Sequence, residues 1–84
     1  MVKRSDVRFS QLQAFLEKLG FSGVRDKKGW RFEHGPTDTI FVFRPYRRTE
    51  RVFMPDLFGI RWQLDGRGLL PEQAFDESLT KTPA

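Results

Sequence analysis

Thr39-Ile40-Phe41-Val42-Phe43 is the stretch that most restricts how this chain folds. It holds five β-favouring residues in a row, with Gly35-Pro36-Thr37-Asp38 before it and Pro45 after it. Such a run reads as a strand buried on both faces, or buried on one with an aromatic surface on the other. Gly35 through Asp38 is turn chemistry, and Pro45 cannot continue a hydrogen-bonded ladder. Upstream, Trp30 and Phe32 alternate with Arg31 and Glu33, the period of a strand. Lys27-Lys28-Gly29 supplies a hairpin turn, and 21–26 (FSGVRD) a short strand before it. The expectation is a three-stranded antiparallel meander.

Helical patterns flank the meander. Leu12, Phe15, Leu16 and Leu19 form one apolar stripe. Ser10 with Gln13 reads as a capping box, Phe9 with Ala14 as a hydrophobic staple, and Gly20 as the left-handed stop. A helix is predicted over 10–19. Pro55 and Asp56 open a second, over 55–65, carrying Leu57, Ile60, Arg61 and Leu64 on one row and Phe58 and Trp62 on another. Arg51–Met54 is open between a short strand and an extended link. Pro71–Leu79 is compatible with a last short helix, and 80–84 with a frayed tail. Asp65-Gly66-Arg67-Gly68 reads as helix-ending turns, being too short for a phosphate loop.

Grouped strands between helices define an α+β fold, α-β-β-β-α, with two helices on one face of a three-stranded antiparallel sheet. With 84 residues the chain is one domain, 1–84, with a modest core. Ile40 and Val42 make the second sheet face apolar too. That face should be covered by Leu69–Leu79, by a second copy of the chain, or by a ligand.

The net charge is +4, and residues 25–51 hold eight cations against four anions. A focused basic region favours a polyanion partner, through release of counterions from phosphates. Of these, Lys27, Lys28, Arg31, Arg44, Arg47, Arg48 and Arg51 are the candidate phosphate-binding set, and Trp30 and Tyr46 could stack on bases beside them. The plainer reading is a solvated surface, with Trp30 in the core or at its rim. The aromatic rows Phe41/Phe43 and Phe58/Trp62 are a candidate protein-binding face or ordinary core. There is no cysteine and one histidine, His34, so no thiolate metal site and no nucleophile–base–orienter set can be assembled. His34 is the sole candidate general base; its plainer reading is a surface residue beside a turn. No cofactor or metal is expected. Without a secretory apolar core or a membrane-length run, the expected location is cytoplasmic.

The order helix, Leu-Gly-Phe (Leu19–Phe21), short strand with Arg25, Lys27-Lys28-Gly29, then a strand ending near His34, resembles the HicA-type toxin family over roughly residues 9–66. The resemblance implies a fold similar to double-stranded-RNA-binding domains and an mRNA interferase whose histidine closely follows the hairpin glycine. Here Trp30 and Arg31 follow Gly29 instead. Neither titrates near neutrality, so the resemblance implies the scaffold without the catalytic group. The functional expectations are a nucleic-acid binder, RNA above all, that does not cut. A protein-interaction module, a homodimer or a toxin–antitoxin-type partner, is the first alternative. A ribonuclease using His34 is the second.

Overall fold

The computed structural model describes residues 4–81. In chain order the elements are β1 (Arg4–Arg8), α1 (Phe9–Lys18), β2 (Ser22–Asp26), β3 (Gly29–His34), a 3-10 turn (Gly35–Thr37), β4 (Thr39–Phe43), β5 (Arg51–Phe53), α2 (Met54–Gly66) and α3 (Glu72–Lys81). β2, β3 and β4 form the three-stranded antiparallel sheet in that order. β1 and β5 pair separately as an antiparallel ribbon. The fold is α+β, as the flanking of grouped strands by helices requires.

Period-two alternation sorts the sheet into an inner and an outer face. Phe32, Phe41 and Phe43 turn inward and are buried. They meet Leu12, Phe15 and Leu16 of α1 and Ile60 and Leu64 of α2, also buried. Phe9 is the hub of the aromatic packing, with rings of Tyr46, Trp30, Phe43 and Phe32 around it at 5.0–6.2 Å between centroids. The outer face carries Val24, Ile40 and Val42, exposed at 63%, 46% and 75%.

Each end of α1 is closed by backbone. At its C-terminus the Gly20 N–H donates to Glu17 O (3.0 Å) and the Phe21 N–H to Leu16 O (3.0 Å). Gly20 sits at φ +100°, so a side chain there would be strained. The N-terminus departs from expectation. The helix begins at Phe9, and no side chain caps it. The Phe9 N–H instead donates to Glu50 O (2.8 Å) and the Ser10 N–H to Arg48 O (3.0 Å). The Ser10–Gln13 capping box is thereby made unnecessary, because a distant loop already satisfies two of the helix's first donors.

Other expectations change in the same way. The Arg51–Met54 ambiguity resolves as strand for Arg51–Phe53, paired to β1, which periodicity had not indicated. The last helix runs on through Lys81, so residues 80 and 81 are not tail; 82–84 lie outside the described residues. It does not cover the outer sheet face. Phe75 packs edge-on against Phe15 of α1 (5.2 Å), Leu79 O accepts from Gln11 Nε2 (2.6 Å), and Arg61 of α2 binds Glu72 and Asp76. The strand 39–43 is therefore buried on one face only.

Candidate functional site

Two consecutive hairpins put the β2–β3 turn and the exit of β4 at the same end of the sheet. Gly29 pairs with Asp26, and Trp30 pairs with Phe43. Gly29 is so close to β4 that a Cβ built on it would collide with the Phe43 carbonyl oxygen, and its φ is +145°. Only glycine fits there. The consequence is that Lys27 and Lys28, on one side of Gly29, lie beside Arg44 and the chain that follows it.

That following chain, 44–50, is a loop held by its own hydrogen bonds. The Glu50 N–H donates to Arg47 O (3.0 Å), and the Arg47 N–H donates to Glu50 Oε1 (3.0 Å). Glu50 is also bound by Arg4 Nη1 at 3.0 Å. The Arg47 backbone N–H, then Arg4, hold the Glu50 carboxyl below the usual carboxylate range. Through Arg48 O and Glu50 O the loop caps α1. Arg8 joins it, donating from Nη1 to Thr49 O at 2.5 Å. Arg8 also stands opposite Arg51 in the β1–β5 ribbon, a like-charge pair that disfavours the register unless an anion intervenes.

Ion pairing divides the cations. Arg31 is bound to Glu33 (2.6 Å), Arg44 to Asp56 (3.7 Å), Arg4 to Glu50, and Arg61 to Glu72 and Asp76. Among the described residues, Arg8, Arg25, Lys27, Lys28, Arg47, Arg48 and Arg51 are exposed and form no ion pair. These seven belong to the end of the molecule just described; Lys18, Arg67 and Lys81 are also exposed without an ion pair, and they lie at the C-terminal ends of α1, α2 and α3. Of the cations the sequence singled out, Arg31 alone stands apart, on the outer sheet face and level with Val42. Arg8 and Arg25 were not singled out.

The two aromatic candidates are not free to stack on a base. Tyr46 is 2% exposed, with its ring stacked on Phe9 at 5.1 Å and 17°. Its hydroxyl donates to Asp56 Oδ2 and accepts from the Phe53 N–H (3.0 Å). Burial, then the bond to Asp56, pushes its pKa up to about 12. Trp30 is half-buried beside Phe9 and donates its indole N–H to Tyr46 O at 3.1 Å. Both serve the core, which corrects the expected stacking role. Arg44 is likewise committed: its guanidinium lies 4.1 Å from the centre of the Phe53 ring, and that of Arg4 lies 4.2 Å from it.

His34 stands at the other end of the sheet and is not a surface residue. It is 9% exposed, packs on the Phe21 ring at 5.0 Å, and faces Gly20. Its Nδ1 shares a 2.7 Å hydrogen bond with Thr37 Oγ1, which is 2.8 Å from Thr39 Oγ1. No second titratable group adjoins it in these bonds. Of the apolar rows, Phe41 and Phe43 are core, whereas Phe58 and Trp62 are exposed at 55% and 72%. Among the described residues no three His, Asp or Glu side chains gather as a metal site, and no helix is long and apolar enough to cross a membrane.

Comparison of the chain with protein-family models, with curated proteins and with solved structures returns no match.

Proposed function

We propose that the basic end of the sheet binds the phosphate backbone of RNA and does not cut it. The observation that carries this reading is the gathering of Arg8, Arg25, Lys27, Lys28, Arg47, Arg48 and Arg51, exposed and without carboxylate partners, around one loop. Unpaired cations gain by exchanging solvent and counterions for phosphates. The loop is ordered before any ligand arrives, because Glu50 and the start of α1 hold its backbone. Little ordering entropy is then lost on binding. With Trp30 and Tyr46 engaged in the core, contacts fall on phosphates rather than bases, and such contacts carry no sequence information.

The choice of RNA over other polyanions rests on the resemblance of residues 9–66 to HicA-type proteins. The absence of cutting rests on chemistry. Trp30 and Arg31 occupy the positions after the hairpin glycine. His34 is five residues beyond Gly29, about 16 Å along a strand, and is walled in by Phe21. The test is fluorescence anisotropy with labelled single- and double-stranded RNA as salt is raised. Binding that weakens linearly in log salt, with no cleavage on a denaturing gel, supports the reading. No binding of either RNA at low salt overturns it. Cleavage that disappears in His34→Ala would replace it with a ribonuclease.

A further inference from the structure

We infer that the free edge of β4 is a self-association surface, on which a second copy of this chain adds its own β4 antiparallel to make one six-stranded sheet. The order β2-β3-β4 leaves β4 with one side unpaired. The Phe43 carbonyl turns toward Gly29 of β3, so Phe41 and Thr39 turn the same way and Ile40 and Val42 present their N–H and C=O groups to the open edge. Such edges are normally blunted by charge, proline or a bulge. β2, the other edge, is blunted: it contains Gly23, Arg25 and Asp26. β4 has none of these devices between Thr39 and Phe43, and its register with β3 is unbroken.

The edge opens onto a groove of about 200 Å³ between Ile40–Phe43 and the Pro55, Asp56, Gly59, Ile60 and Gln63 side of α2. A Cβ built on Gly59 meets nothing within 4 Å, so the helix leaves room beside the strand. The edge is also self-complementary. A two-fold axis through Phe41 sets Ile40 opposite Val42 of the second copy, and brings Arg44, just past the end of the strand, toward its Asp38, which sits just before the strand at φ +53°. Asp38 is exposed and, among the described residues, has no ion pair. Arg44 already has Asp56 at 3.7 Å, so the second copy's Asp38 adds a further carboxylate beside an occupied, half-exposed guanidinium, where a parallel pairing would set like against like. An unrelated strand would have to match this arrangement by chance; a second copy matches it by symmetry.

A five-residue edge is short, so association is concentration-dependent. Sedimentation velocity of the full chain across a concentration series should show a species of twice 9.9 kDa. Val42→Pro removes an outward donor and spares the bonds to β3. Gly59→Gln fills the groove and replaces a helical glycine with a better helix former. Each should raise the dimer dissociation constant by about tenfold or more, with an unchanged circular-dichroism spectrum. If Val42→Pro unfolds the chain, Gly59→Gln decides alone. A wild-type chain that stays monomeric at its highest soluble concentration overturns the inference. So does a dimer that both folded variants leave intact. Neither Val42 nor Gly59 belongs to the basic end, so RNA binding by the monomer is read separately in the same variants.

Discussion

The two ends of the three-stranded sheet treat polar groups in opposite ways. At the His34 end they satisfy one another: imidazole, Thr37 hydroxyl and Thr39 hydroxyl form a closed chain, and Thr39 is fully buried. At the Gly29 end the backbone is satisfied while several cationic side chains are not. The carbonyls of Arg48 and Glu50 are spent on α1, while the guanidinium groups of Arg47 and Arg48 are left to solvent. A polar group with an internal partner contributes to folding; one held in place without a partner remains available to a ligand. The sole histidine, which chemistry would nominate first, belongs to the former kind.

The contrast can be broken most severely at Gly29. Gly29→Ala should destabilise the fold by about 3 kcal/mol or more, since it forces a side chain into the Phe43 carbonyl at positive φ; urea denaturation measures it. Arg47→Glu combined with Arg48→Glu should weaken RNA binding by about a hundredfold at low salt and flatten the salt slope by about two, with urea stability unchanged within about 0.5 kcal/mol. A matching loss of stability would mean these arginines are structural after all. Tyr46→Phe should cost about 2 kcal/mol, by stranding Asp56 and the Phe53 N–H.

The same tyrosine predicts a pH limit. Its folded pKa is raised to about 12 from an ordinary value of 10.0, so the neutral form is favoured by folding. That stabilisation is complete below pH 10 and is lost as pH rises from 10 toward 12. Tyr46 is the only tyrosine, so phenolate absorbance follows it without ambiguity. A midpoint near 10 would show that the hydroxyl is not held as described. Smallest of all, Arg31→Ala should change stability by about 0.5 kcal/mol or less and leave RNA binding within about twofold, because its exposed pair with Glu33 lies away from the basic end. A larger loss of binding would extend the site onto the outer face.

What could be read from the chain followed from local periodicity. The meander, α1 and α2 rest on patterns of two and 3.6 residues, and these were sufficient. The parity of the hairpins, which puts Lys27 and Lys28 at the end of the sheet where the chain leaves β4 toward Arg47 and Arg48, was present in the same patterns. So was the inward side of His34, which shares its phase with Trp30 and Phe32. β1 was not legible. Its five residues, Arg-Ser-Asp-Val-Arg, bury chiefly a serine, whose hydroxyl bonds to Val52 O at 2.7 Å across 47 positions of sequence. Tyr46 was misread for a similar reason: an aromatic in a basic run looks available, and its partners Asp56 and Phe53 come from a later element. Apart from Arg31, whose partner Glu33 is two residues away, the pairing of each cation depends on residues distant in sequence, and the composition of 25–51 does not contain it.

The hold of the Arg48 and Glu50 carbonyls on the first turn of α1 couples a surface segment to a fully buried side chain, for the Phe9 amide and the Phe9 ring belong to one residue. Anything that grips Arg47 and Arg48 also steadies the carbonyls beside them. The exchange of two amide protons, on Phe9 and Ser10, should therefore slow if an anion occupies the arginines. Those two amides would then report occupancy from inside the helix.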